Sequence, residues 1–471
     1  MREVKEAAEQ EAVPTAVVAA AMNPLRAALR DLSTVEMRGR VTEVLGTLVK
    51  AVGVQARIGE ICELRNPTPD GVGHIRQDSP LRAEVIGFRG STAILTPFGD
   101  ISGLSSDTEV VTLRRTFAVP TGRGLLGRVL DGFGRPIDGR GPVGDIWHVP
   151  VNADPPAPLT RRPVNQVCET RVRAIDALFT VGRGQRVGVI APVGAGKTTL
   201  MGMLARGAQA DVTVIALVGE RGREIGEFIN RTLGPEGMKH SVVVVSTADR
   251  PAVERAKCAQ VATAVAEGFR REGLHVLLLM DSVTRYARAL REIGLASGEA
   301  PTRRGFPPSV FAALPKLLER AGNDDRGGIT AFYTLLVEGD EENDPIAEEV
   351  TSLLDGHLHL SRTQAQAHQF PAIDVLTSLS RVMPAITSTA QQEACAQIRS
   401  WLAKHREIEM LVQMGEYRTG ADAEADAALA HVPKIHKFLR QQPDEFSPID
   451  DTTRALMSLV EGNSDGANGN E

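Results

Sequence analysis

Residues 190–200 read IAPVGAGKTTL, which sets Gly194, Gly196, Lys197 and Thr198 at the spacing of a phosphate-binding loop. The strict pattern begins on glycine, and Ala191 stands there instead. Such a loop works by turning backbone N–H groups toward phosphate oxygens at a helix N-terminus. Glycine is required where a Cβ would block that approach, which is at Gly194 and Gly196. The first position closes a strand, where small size is enough and alanine supplies it. Pro192, Val193, Gly194, Ala195, Gly196, Lys197, Thr198 and Thr199 are therefore the candidate nucleotide-binding run. The competing reading is a glycine-rich strand-to-helix turn with an incidental lysine.

Hydrolysis of a phosphoanhydride needs a metal ligand, a second acidic anchor, a group that orients water and positive charge for the transition state. Thr198 offers a hydroxyl for Mg²⁺. The apolar run HVLLLMD ends on Asp281, and Glu220, within GERGRE, follows the run VIALVG. Both deliver a carboxylate to the end of a buried strand, the edge at which ligands sit in α/β sheets. Asp281 reads as an acid acting on the metal, or as the cap of the helix that follows. Glu220 reads as the carboxylate that orients the attacking water. Its neighbours Arg221, Arg223 and Glu224 also allow a plain surface charge cluster. Two further stretches, Gly122–Gly127 and Gly139–Gly144, match G-x-G-x-x-G without a strong strand before them and are read as turns.

The elements that must position these groups follow from periodicity. Residues 1–36 carry a helical apolar stripe (Leu25, Ala28, Leu29, Leu32) and form a detachable, oligomerising segment. Residues 37–116 alternate short apolar segments with Gly, Pro, Asn and Asp turns, the pattern of a small β-barrel. Residues 148–164, HVPVNADPPAPLTRRPV, are a proline-rich extended crossing. Within 117–385, continuous apolar strands alternate with helices, which predicts a mostly parallel sheet. Residues 386–460 read as helices, and 461–471 as a polar, disordered tail.

Across 471 residues, 42% are apolar, 24% are charged and the net charge is −6, so there is no basic field for nucleic acid or anionic lipid. No apolar run approaches a membrane span, and an acidic N-terminus argues against a signal peptide. Cys62, Cys168, Cys258 and Cys395 are widely spaced and read as reduced, buried thiols of a cytosolic protein. His357, His359 and His368 cluster in sequence, but no carboxylate or thiolate completes a metal set at ligand spacing.

The loop, GERGRE, the Asp281 strand and FPAIDVLTSLSRV occur in the order seen in the rotary ATPase family that includes the ATP synthase catalytic subunit, and LLGRVLDGFGRPIDGRGP is similar to that family too. The likeness runs from about residue 37 to about 450. PPAPLTRRP, DSVTRYARALREIGLASGEAPTRRGFPPSVFAALPKLLERAG and EGDEENDPIAEEVTSLLDGH resemble the export ATPases of type III secretion, and GTLVKAVGVQARIGEICELRNP and LARGAQADVTVIALVGERGREIGEFI resemble the injectisome branch more than the flagellar one.

The resemblance implies an α/β fold with an N-terminal β-barrel, a central RecA-like P-loop domain and a C-terminal helical domain. It implies a Mg²⁺-dependent ATPase in which Lys197 and Thr198 hold phosphate and metal, Glu220 is the catalytic carboxylate, Asp281 acts on Mg²⁺ through water, and Glu224 stands one shell further out. Arg221 and Arg285 would line the phosphate site. Arg381 would be supplied to the neighbouring subunit, and Phe370 would lie against adenine or be an ordinary core ring. It further implies a homohexameric ring, cytoplasmic and peripheral to the inner membrane. Its implied partners are a central stalk, stator proteins, an export gate, and secretion chaperones with their cargo. A non-hydrolysing ring subunit would lack Glu220. An RNA translocase would need a basic, aromatic-rich face, and aromatics are 4% of this chain.

Overall fold

The computed structural model describes residues 37–66, 80–337 and 344–461. The expected N-terminal stripe and polar tail therefore lie outside the described residues, although Glu461 itself closes a helix. Two compact units are present, one built on the barrel and one holding everything from Arg115 onward.

The barrel is closed by β1 (Arg38–Leu45), β2 (Leu48–Val52), β3 (Glu60–Arg65), β4 (Leu81–Arg89), β5 (Thr92–Pro97) and β6 (Glu109–Thr116), in the order β1-β2-β5-β4-β3-β6. Side chains alternate across each strand, so Val49, Ala51, Cys62, Leu64, Ala83, Val85, Ala93 and Leu95 fill the interior. Closure leaves no free strand edge.

In the second unit, β7 (Ala118–Thr121) pairs antiparallel with β9 (Trp147–Pro150). The start of the expected linker is thus a strand. Its ladder partner lies about thirty residues upstream, which local pattern does not reveal. The main sheet contains β8 (Val129–Asp131), β10 (Arg186–Ala191), β11 (Val212–Glu220), β12 (Ser241–Thr247), β13 (His275–Asp281), β14 (Gly322–Asn323), β15 (Gly328–Leu336), β16 (Gly356–His359) and β17 (Leu379–Ser380). Its order is β17-β16-β10-β15-β13-β11-β12-β8, with β14 beside β15. Every pairing from β16 to β8 along that path is parallel; β14 and β17 pair antiparallel. All nine residues of β11 and all seven of β13 are buried, as expected when helices cover both faces of a parallel sheet.

The helices that bear on the site are α1 (Arg173–Leu178), α2 (Lys197–Gly207), α3 (Gly222–Glu227), α4 (Ala252–Arg271) and α5 (Val283–Ala296). A π turn, Phe228–Leu233, continues α3. The chain ends in α6 (Thr389–Gln413), α7 (Ala423–Leu439) and α8 (Ile449–Glu461). Ser388 caps α6 by accepting from Gln391 N, and Asp422 caps α7 by accepting from Glu424 N and Ala425 N. Ile398, Trp401, Leu439 and Leu456 of these helices share one core with Leu200, Leu204 and Phe179 beside the sheet. Among the described residues no helix is long and apolar enough to cross a membrane. All four cysteines are buried and unbridged.

Candidate active site

The phosphate-type loop joins β10 to α2. Ala191 is fully buried and paired with Leu336 on β15, so the deviating motif position is an ordinary strand residue with no need of glycine. Gly194 and Gly196 hold φ of +85° and +84°, a region that disfavours a side chain. A Cβ on Gly196 would also lie 3.0 Å from the Phe370 ring. That contact puts Phe370 against the loop. The ring is half-buried. Val193 and Thr198 are exposed, and Thr199 is half-buried.

Parallel pairing sets the C-terminal ends of β10, β15, β13 and β11 along one edge of the sheet. From that edge Lys197 Nζ bonds Asp281 Oδ1 and stands 3.7 Å from Glu220 Oε1. The three side chains are only 13%, 7% and 10% exposed. Arg285, on α5, closes the cluster from the other side, with Nη2 3.1 Å from Glu220 Oε2 and Nη1 donating to Gly219 O. Thr334 of β15 donates to Asp281 Oδ1 at 2.8 Å. The cap of α5 is Ser282, which accepts from Arg285 N at 3.3 Å, so Asp281 is not consumed as a helix cap.

Burial raises the Glu220 carboxyl above its ordinary range, and the charge of Asp281 raises it further; Lys197 and Arg285 oppose both. Glu220 Oε1 is buried and has no hydrogen-bond partner. A buried, unsatisfied carboxylate oxygen beside a second carboxylate suits a water molecule or a hydrated cation. The residues present therefore fit Mg²⁺.

Arg221 is not drawn into this cluster, whereas Glu224 borders it and acts on the Glu220 carboxyl. Arg221 is exposed and donates to Glu224 at 3.2 Å, and Arg223 lies 3.9 Å from the same carboxylate. Arg381 lies elsewhere altogether. Its N–H donates to Asp355 O, and Asp355 N–H donates to Arg186 O at the start of β10. The loop leaves the opposite end of that strand, five residues or roughly 16 Å away at about 3.3 Å per residue. Arg381 is exposed.

The two G-x-G-x-x-G stretches are turns that pack on one another: Gly124 N–H donates to Asp145 O, and a Cβ on Gly124 would collide with Gly144 O. His357 and His359 meet edge to face at 4.8 Å, with His357 Nε2 3.2 Å from Thr377 O. Sequence reading missed Thr334. Its signal was a hydroxyl near the end of the apolar strand GITAFYTLL, at the edge that carries Asp281.

A closed β-barrel followed by a parallel sheet with a phosphate loop, two converging carboxylates and a paired arginine defines a P-loop nucleotide hydrolase. Residues 171–380 match the ATP synthase alpha/beta family nucleotide-binding domain, 41–114 its beta-barrel domain, and 387–458 the T3SS EscN ATPase C-terminal domain. The type 3 secretion system ATPase of Xanthomonas euvesicatoria is 54% identical over 92% of this chain and 97% of its own. The flagellum-specific ATP synthase of Bacillus subtilis is 44% identical over 90% and 95%. The assembled ATPase EscN of the enteropathogenic E. coli type III secretion system superposes with a TM-score of 0.83 at 43% identity, covering 90% of this chain and 100% of that one. EscN in complex with its central stalk EscO gives 0.81 at 42%, with the same coverage. The chain belongs to the ATP synthase alpha/beta family, among its type 3 secretion system ATPases.

Proposed function

We propose that the chain is the ATP-driven motor of an injectisome. It would work as a homohexamer on a central stalk, beside stator proteins and an export gate, and would release secreted cargo from its chaperones. We place it in the cytoplasm, peripheral to the inner membrane. The solved assembly of EscN, and its complex with a stalk protein, support the ring and the stalk. The 54% identity to an injectisome enzyme, against 44% to a flagellar one, supports the branch. We take 37–116, 117–385 and 386–460 as barrel, nucleotide and helical domains, flanked by the N-terminal segment and the tail.

The observation that carries hydrolysis is the convergence of Lys197, Asp281, Glu220 and Arg285 at one sheet edge. In this reading, Pro192 to Thr199 wrap the phosphates and Phe370 faces the adenine. Phosphate oxygens take Lys197 over from the two carboxylates. Glu220, freed on one oxygen, accepts a hydrogen bond from the attacking water and holds it in line. Arg285 keeps Glu220 oriented and adds positive charge near the phosphates. Thr198 and, through water, Asp281 would hold Mg²⁺, with Glu224 further out; the ion would supply charge neutralisation on the phosphate oxygens. Arg221 has its guanidinium on the exposed side of this cluster and reaches the phosphates only if it leaves Glu224. Arg381 stands too far along β10 to serve its own loop, which supports a role in the neighbouring subunit's site.

Glu220→Gln keeps shape and loses charge. It should leave ATP binding near normal and lower phosphate release at least ~10²-fold, the scale of a positioned base. Lys197→Ala should weaken binding as well. Hydrolysis retained by Glu220→Gln, with binding lost, would reverse the assignment of Glu220.

A further inference from the structure

The strand that carries Arg381 is short. β17 has two residues and pairs with β16 through Gly356↔Ser380 and His357↔Leu379. Two residues of antiparallel ladder hold a chain weakly. Alternation puts Leu379, 43% exposed, and the exposed Arg381 on the outer side, with Ser380 buried between them.

Ser380 is clamped from inside. Its Oγ donates to Thr180 O and accepts from Gln185 Nε2, both at 3.0 Å. Gln185 is fully buried. The same Nε2 also donates to Asp355 O at 3.2 Å, and Oε1 accepts from Gly182 N at 2.9 Å. Asp355 O is in turn the acceptor for Arg381 N–H at 3.0 Å. The Asp355 carboxylate accepts from Arg186 N at 3.1 Å and Arg186 Nε at 3.0 Å. Gly356 allows the close approach: a Cβ there would lie 2.5 Å from Leu379 O. A buried polar network with its bonds satisfied holds one geometry, whereas an apolar contact tolerates sliding. This network ties the backbone of Arg381 to the base of β10.

We infer that Gln185 and Ser380 are positioning residues for Arg381, holding the edge strand so that the guanidinium projects to a fixed place outside its own subunit. The inference rests on the reading of Arg381 as a residue of the neighbouring site. Misplacement of a catalytic group by about 1 Å can cost on the order of 10²-fold, so loosening this clamp should show in the neighbour's chemistry.

The test uses mixed rings and trapping of ADP with aluminium fluoride. Lys197→Ala subunits have a dead loop and an intact Arg381, and Arg381→Ala subunits the reverse. Rings mixed from the two, with mixing verified by native mass spectrometry, should trap at interfaces that hold both intact parts. Ser380→Ala is then added to one partner at a time. On the Lys197→Ala subunit, which donates the arginine, it should cut trapping at least ~10-fold. On the Arg381→Ala subunit, which donates the loop, it should leave trapping within about twofold. Ser380→Thr, which keeps the hydroxyl, should restore trapping in the first placement. Gln185→Met keeps length and removes the donor. It is run in the same two placements, so that poor folding of one variant does not decide the result. Equal loss in both placements, or no loss in either, overturns the positioning role while leaving Arg381 in trans. Absence of trapping in verified mixed rings without any change at 380 or 185 removes the trans role of Arg381, and this inference with it.

Discussion

Asp281 is shared among groups that compete for it. Lys197 and Thr334 both bond Oδ1, and Glu220 faces the same lysine. A hydroxyl donated to a carboxylate is worth roughly 1.5–3 kcal/mol, and its loss inside a reaction centre acts on orientation as well. Thr334→Val preserves size at a fully buried position and deletes that bond. The expected outcome is a fall in turnover of about tenfold with nucleotide affinity changed by less than threefold, measured by steady-state phosphate release and equilibrium binding. Unchanged turnover would show that Lys197 alone orients Asp281.

At the scale of elements, the helix after the loop and the helix after Glu220 are locked together at one point. Gly202 of α2 faces Thr232 of the π turn so closely that an added Cβ would lie 2.1 Å from Thr232 Cγ2. Gly202→Ala gains about 1 kcal/mol of helix propensity but meets a stiff β-branched side chain at a cost of roughly 1–3 kcal/mol. Thr232→Ser removes the colliding methyl. Denaturant unfolding of both single variants and the double should therefore show a favourable coupling of at least ~1 kcal/mol, the double being more stable than the sum of its parts. Additive behaviour would mean that the two elements relax apart freely.

The start of β13 carries a second, pH-dependent feature. Burial, and then the charge of Arg183, lower the His275 imidazole to about 4, against the opposing pull of Asp211. Its Nε2 shares a 2.8 Å bond with Thr330 Oγ1, while Nδ1 is buried without a hydrogen-bond partner. The folded value lies below the unfolded one of about 6.5, so the unfolded chain binds the extra proton between those values. Stability from this group is present above pH 6.5 and is lost as pH falls toward 4, by up to about 1.4 kcal/mol per pH unit. The difference in slope between the parent and His275→Gln across that window isolates the effect. Parallel pH curves for the two would contradict it.

For the whole molecule, the proposed role of Arg381 in the neighbouring site would make a single subunit an incomplete catalyst. Activity per subunit should rise with concentration and level off as rings fill, because sites shared between subunits gain by mass action. Phosphate release measured over a dilution series, alongside mass by light scattering, checks this. A proven monomer with full activity would place Arg381 among the structural residues of its own edge strand.

Local rules were enough for much of this protein. The phosphate loop was legible because Gly194, Gly196, Lys197 and Thr198 must be contiguous to wrap a phosphate. The buried strands were legible because sheets covered on both faces need unbroken apolar runs, and those runs pointed to Asp281 and Glu220 at their ends. Other features are contacts between segments far apart in the chain, and no window of sequence contains both partners. Arg285 meets Glu220 across 65 residues, Thr334 meets Asp281 across 53, and β9 finds β7 only in space. The family resemblance gave Arg221 and Arg285 equal claim. The fold brings Arg285 to Glu220 and leaves Arg221 paired with Glu224 at the surface. The place of Arg381 was decided in the same way. An antiparallel return along β16 carries it to the base of β10, and only a three-dimensional register fixes at which end of a strand a chain returns.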